Sequence, residues 1–165
     1  MGPTSCLRIW HGNQEDVSLC SRTDDSMHRS QAGYSGTPLC KKLGFKAGYR
    51  ACVKGAPDQY FELVQPLPDK VAISNRFLKD VDLCHFFTKS RRELANKLPG
   101  LMRIIRQDGM IWVSWPKKAS KVPTDVTEDV IRSVALPLGL VDVKVCAVDE
   151  VWSGLKLVIR KELRK

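Results

Sequence analysis

Two tryptophans and a pair of adjacent lysines are the residues of this 165-residue chain best suited to hold a ligand. Trp115-Pro116-Lys117-Lys118 closes an apolar run, and Trp152-Ser153 follows in a later turn. Ammonium groups meet phosphate or carboxylate and an indole stacks on a flat ring, so the set suits an anionic ligand that carries a ring. Thr88 and Lys54 end two other expected strands and join the set. The candidate ligand-binding residues are therefore Lys117, Lys118, Trp115, Trp152, Ser153, Thr88 and Lys54. Each has a plainer use when taken alone, since the indoles can cover the end of a sheet as core and the lysines can be solvated. Taken as a group they make a site.

No motif in the chain names a reaction, and whether it is an enzyme stays open. Asp125 and Glu128 could act as general acid and base, but their spacing is that of a helix cap. His85 lies mid-strand, where a hydrogen-bonded core residue is the expectation. Ser153 lacks the Gly-x-Ser-x-Gly elbow of a hydrolase. The six cysteines (Cys6, Cys20, Cys40, Cys52, Cys84 and Cys146) never adopt the C-x-x-C spacing of a zinc or redox site. Buried free thiols in a reducing cytoplasm are expected, and no metal.

The elements that must position these groups follow from pattern. Met110 to Trp115 is a continuous apolar run of one strand length, as in a strand covered on both faces, and Pro116 ends its ladder. In open α/β sheets ligands sit beyond the carboxyl ends of such strands, where Lys117 and Lys118 emerge. Thr37-Pro38-Leu39 opens a short helix that Gly44 ends. Strands are expected at Tyr49 to Val53, Val71 to Ile73 and Val81 to Phe87, with a short helix over Asp58 to Val64.

Ser90 and Glu93 form a capping box for a helix that buries Leu94, Leu98, Leu101, Met102 and Ile105, and Pro99 should kink or divide it. Asp108-Gly109 turns the chain into the Met110 strand. Asp125 and Glu128 cap the next helix, which turns Val126, Val130, Ile131 and Val134 inward and closes at Pro137 and Gly139. Alternation of Val141, Val143, Val145 and Ala147, then of Leu155, Leu157 and Ile159, reads as a terminal hairpin through Glu150 to Gly154. The fold class is α/β, a Rossmann-like three-layer sandwich whose mostly parallel sheet of about six strands ends in an antiparallel hairpin.

Two resemblances attach to particular stretches. Leu43-Gly44-Phe45-Lys46-Ala47-Gly48-Tyr49-Arg50-Ala51-Cys52-Val53 and Gln107-Asp108-Gly109-Met110-Ile111-Trp112-Val113 look like the lead-in and a later strand of class I S-adenosylmethionine-dependent methyltransferases. Ser35 to Leu39, Trp115 to Lys118, Thr124 to Glu128 and Val145 to Gly154 resemble a bacterial family of small proteins of unknown function. The first resemblance implies S-adenosylmethionine as a cofactor, with Gly55 in the turn after strand one and Asn75 at the end of strand two as its contacts. The chain departs from that pattern at both places. Lys54-Gly55-Ala56-Pro57 has a single glycine where the family has a glycine-rich turn, and Asn75 stands where an acid accepts the ribose hydroxyls.

Bulk composition bounds the alternatives. The net charge of +9 is uneven: residues 1–35 hold three Arg against four acids, and 36–165 hold 24 Lys or Arg against 14, a difference of +10. That favours anionic partners such as a nucleotide, RNA or an acidic protein surface. Residues 1–35 lack sustained periodicity and are expected to be a disordered leader, with Met27 an alternative natural start, ahead of one domain over 36–165. No apolar run nears a membrane span, so a cytoplasmic protein without a membrane partner is expected. Three functions remain in play: a module binding a small anionic or nucleotide-like ligand, a methyltransferase with a degenerate cofactor loop, and a basic interaction module for RNA or an acidic protein.

Overall fold

A computed structural model of the protein describes residues 37–165, so the expected leader and the Met27 start lie outside the described residues. Helix α1 (Leu39–Leu43) leads into β1 (Arg50–Lys54), a single-turn helix α2 (Tyr60–Leu63), β2 (Ala72–Ser74) and β3 (Val81–Phe87). Helix α3 (Arg91–Ile104), β4 (Ile105–Pro116), α4 (Glu128–Leu138), β5 (Leu140–Ala147) and β6 (Trp152–Ile159) complete the order, with 3-10 turns at Lys118–Ser120 and Lys161–Leu163. The six strands lie in the order β2-β1-β3-β4-β6-β5. Strands β1 to β4 are parallel neighbours, and β6 is inserted antiparallel between β4 and β5. This is the expected Rossmann-like α/β sheet. The insertion of β6 follows from burial, because Leu155 and Leu157 are fully buried whereas the middle of β5 is exposed.

The two faces are covered unequally. On one, Leu94, Leu98 and Leu101 of α3 and Ile131 and Ala135 of α4 pack on Cys84, Phe86, Ile111, Val113, Leu155 and Leu157. On the other, the helices among the described residues are the short α1 and α2, which bring Cys40, Leu43 and Tyr60 to a core with Ala51, Val53, Leu83, Phe87 and Trp112. Helix α1 is nevertheless fixed, because the Trp112 indole N–H donates to the Leu43 carbonyl at 2.8 Å. Gly44 then ends the helix at φ 90°, the left-handed region open to glycine.

Several local expectations are corrected. Pro99 lies inside α3 without dividing it, because Leu94, Leu98 and Leu101 on either side of it are anchored in one core. Asp108-Gly109 does not precede β4 but belongs to an irregular stretch within it, where the register to β3 jumps from Val81↔Ile105 to Leu83↔Met110. Gly109 is needed there, since a Cβ would lie 3.1 Å from the carbonyls of Arg106 and Asp82. Strand β4 is parallel to β3 alone, its other neighbour being antiparallel. Val143 and Val145 are exposed, because β5 is the sheet's edge and bulges between Asp142 and Lys144.

The caps are also redistributed. Ser90 caps α3 as expected, accepting from the Glu93 N–H at 3.3 Å. The Glu93 carboxylate, however, takes the Thr88 hydroxyl at 2.6 Å, and Thr88 Oγ1 accepts from the Ser90 N–H. Helix α4 is capped by Thr127, not by the expected Asp125 and Glu128 pair. Asp125 instead accepts the Arg91 N–H at 2.7 Å and so closes the head of α3. Glu128 pairs with Arg132, which also reaches Asp142 of β5 at 3.0 Å. Among the described residues no helix is long and apolar enough to cross a membrane.

Replacing Trp112 with Phe would leave the Leu43 carbonyl unpaired and open space in the core. We expect a loss of at least about 2 kcal/mol in guanidinium unfolding with an unchanged m value. An unchanged midpoint would mean that α1 is not held through this bond.

Candidate functional site

Strand order reverses at β1: β2 lies on one side of it and the chain returns to place β3 on the other. In sheets of this kind the crevice beyond the carboxyl ends at the reversal is where ligands sit. Here that crevice is occupied by the protein itself. His85 stacks on Phe87 at 4.2 Å, Tyr60 meets Phe87 edge-on at 5.5 Å, and Phe87 meets Trp152 edge-on at 5.0 Å. All four side chains are buried.

Polar atoms inside this plug are paired. His85 Nδ1 lies 3.0 Å from the Tyr60 hydroxyl and Nε2 lies 2.7 Å from the Ser114 hydroxyl. A neutral imidazole donates at one nitrogen and accepts at the other, so the two hydroxyls take complementary roles. Burial depresses the His85 pKa from 6.5 to about 3, which keeps the ring neutral, and pushes the Tyr60 phenol upward. Gly154 makes room for the network, since a Cβ there would lie 3.2 Å from Ser114 Oγ and 3.3 Å from the Trp112 ring.

The residues expected to bind a ligand are distributed differently from the expectation. Lys117 and the turn before Trp152 do share one edge of the sheet, as the Pro116↔Trp152 pairing requires. The two indoles do not share a face: Trp115 packs on the α3 and α4 side, and Trp152 on the α1 and α2 side. Neither forms one wall of a common slot. Lys117 is a strap, its N–H donating to the Val151 carbonyl and its ammonium to the Asp149 carbonyl, both at 2.7 Å. The Asp149 carboxylate accepts from the N–H groups of Val151 and Trp152 at 2.8 and 2.7 Å, completing the turn. Thr88 is buried in the cap of α3, and its hydroxyl holds the Glu93 carboxyl below the ordinary range. Ser153 donates to the Cys146 carbonyl at 3.4 Å, and Lys118 opens an exposed 3-10 turn.

A second group does assemble, at the ends of β1 and β2. The Lys54 ammonium lies 4.1 Å from the ring centroid of Phe77, whose ring is half exposed. Gly55 follows Lys54, and Asn75 follows the last residue of β2, both exposed. Phe77 is a candidate that no motif in the sequence marks. Its signal was an aromatic residue in a polar connection, Asn75-Arg76-Phe77-Leu78, with no periodic partner. Gly55 adopts φ 70°, and a Cβ there would lie 2.6 Å from the Phe87 carbonyl, so its small size serves the approach of β1 to β3. Among the described residues no cluster of His, Cys, Asp or Glu is placed to hold a metal ion. Cys40, Cys52 and Cys84 are buried free thiols and Cys146 is a partly buried one.

Known proteins bear on the fold. No family model and no curated protein matches the chain. Among solved structures it is similar to a SAM-dependent methyltransferase from Aquifex aeolicus, at 15% identity and TM-score 0.57, covering 76% of this chain and 90% of that one. It is also similar to a possible exported protein from Bordetella parapertussis, at 8% identity and TM-score 0.52, covering 74% of this chain and 66% of that one. The chain therefore has a methyltransferase-like fold.

The neutral buried imidazole has a consequence for stability. Below pH 6.5 the unfolded chain takes up a proton that the folded chain refuses until about pH 3. The contribution of His85 is thus complete above pH 6.5 and is lost on acidification. Between pH 6.5 and pH 5 the wild type should lose roughly 1.6 kcal/mol more in urea unfolding than His85→Gln, short of the limiting slope because the unfolded imidazole is still half neutral at pH 6.5. Equal pH slopes in the two proteins would contradict a buried neutral ring.

Proposed function

We propose that the chain is a methyltransferase-fold module that binds a small anionic, nucleotide-like ligand at the carboxyl ends of β1 and β2. The observation that carries this reading is the Lys54 ammonium seated 4.1 Å from the half-exposed ring of Phe77. An ammonium beside an aromatic face offers a charge partner for phosphate and a stacking surface for a base. Asn75, with an amide that both donates and accepts, stands at the end of the adjoining strand to meet sugar hydroxyls. These positions keep Lys54, Gly55 and Asn75 of the sequence-derived set, add Phe77, and release Lys117, Trp115, Trp152 and Thr88 to structural work.

S-adenosylmethionine fits this chain poorly. A glycine turn that admits a cofactor leaves its backbone open, whereas Gly55 is turned against the Phe87 carbonyl. The crevice beside it holds Tyr60, Phe87 and Trp152, all buried. The methyltransferase reading keeps the support of the Aquifex likeness, which is one of fold.

A thermal-shift series separates the two. A nucleoside monophosphate or triphosphate at about one hundred times its Kd should stabilise the protein by about 2.7 kcal/mol, a rise of roughly 5–11 °C. Lys54→Gln and Phe77→Ala should each weaken that binding about ten-fold or more while leaving the melting of the free protein within about 2 °C of wild type. No response to any nucleotide would remove the proposal. A response to S-adenosylhomocysteine that Lys54→Gln leaves intact would move the reading to a methyltransferase.

A further inference from the structure

The hairpin half of the thinly covered face carries a cluster of lysines that packing does not explain. Lys144 of β5 and Lys156 of β6 are directly paired across the antiparallel ladder. Like charges in that arrangement repel and cost stability. Both side chains belong to the face of Trp112, since Lys156 is also paired with Trp112 and the Lys144 ammonium lies 5.9 Å from the Trp112 ring centroid. Lys156 is half-buried, and burial first, then repulsion from Lys144 and Lys46, lowers its pKa. Lys46, three residues beyond the end of α1, thus brings a third ammonium into the field of the pair.

The charge of the hairpin is sorted by face. Its one acid within a strand, Asp142, is directly paired with Leu157 and turned toward α4, where Arg132 holds it at 3.0 Å. The lysines collect on the other face, where among the described residues no helix is packed over the β6 and β5 end of the sheet. The repulsion is therefore unopposed at short range by the strand's own carboxylate.

We propose that the face formed by Lys144, Lys156 and Lys46 binds the phosphate backbone of a nucleic acid. Phosphates spaced along a strand neutralise several ammonium groups at once, and the release of their counterions supplies the affinity. An acidic protein is the poorer fit. Protein interfaces draw most of their energy from buried aromatic and arginine anchors. Among the described residues the exposed aromatics, Phe61 and Phe77, lie in α2 and just after β2, toward the opposite edge of the sheet from β5. The surface is thus independent of the nucleotide-like site at β1 and β2, and either can fail without the other.

Fluorescence anisotropy with the full chain tests this, using a short labelled single-stranded RNA, a DNA duplex, and poly-glutamate as a protein-like polyanion. The double variant Lys144→Gln/Lys156→Gln should bind RNA at least ten-fold more weakly at low salt. Its slope of log affinity against log salt should be shallower by roughly 1.4, two contacts at about 0.7 each. A control pair, Lys79→Gln/Lys165→Gln, removes the same charge elsewhere and should stay within about two-fold of wild type. Equal losses in the two pairs, an unchanged double variant, or binding of poly-glutamate without RNA would overturn the proposal. If the duplex binds more tightly than RNA and loses affinity in the same variant, the phosphate surface stands and its natural partner is double-stranded. Lys156→Gln alone should raise the melting temperature of the free protein, because it relieves the repulsion; a fall would show that the lysine serves the fold.

Discussion

One buried imidazole, held between the hydroxyls of Tyr60 and Ser114, governs how this protein uses its fold. A polar ring at 0% exposure is tolerable only with both nitrogens satisfied, and the partners must come from two other elements. Tyr60 can reach His85 only if the single turn of α2 lies down over β3. Ser114 can reach it only if β6 presents a glycine opposite, as Gly154 does. Satisfying those two bonds brings the Tyr60 ring against Phe87 and leaves Phe87 against Trp152. The crevice that this sheet order makes available is filled as a result.

Closing that crevice explains why the rest of the carboxyl edge is built from structural contacts. Lys117 spends its backbone and its ammonium on the β5–β6 turn, and Asp149 spends its carboxylate on the same turn. Asp125 spends its charge on the head of α3, a position that would otherwise attract an anion. Besides the exposed Lys118, outward-facing charge stands toward the sheet's two edges: Lys54 with Phe77 near β2, and the lysine pair on β5 and β6. A methyltransferase-like scaffold thus carries exposed charge at its margins while its centre is packed.

Much of the fold was legible because the deciding signals are local. The bounds of β3 follow from an apolar run, Ser90 announces the head of α3, and Gly44 and Gly139 end their helices at positive φ. The apolar stretch from Met110 to Trp115 identified an interior strand because every residue in it is buried. Misplaced features have partners distant in the chain. Asp125 looked like the cap of the helix that follows it, yet its hydrogen bond goes to a residue 34 positions earlier. Trp115 and Trp152 looked like a pair because both stand at the carboxyl edge of the sheet. Their opposite faces follow only from the β4–β6 register, in which Trp152 lies opposite Pro116 and Trp115 opposite Ser153. The hairpin valines alternated correctly, but alternation cannot tell an edge strand with a bulge from an inner one. Phe77 was missed because a lone aromatic in a connection has no period to reveal it.

Nitrogen-detected imidazole spectra, recorded while a nucleoside monophosphate is titrated into isotope-labelled protein, test the filled centre most directly. The account predicts that the His85 ring signals hold the pattern of one neutral tautomer and do not move, while the backbone amides of Lys54, Gly55, Asn75 and Phe77 shift to saturation. Movement of the His85 ring or of the Ser114 amide, early in the titration and ahead of those four, would mean that the crevice opens to ligand and that the account is wrong at its centre.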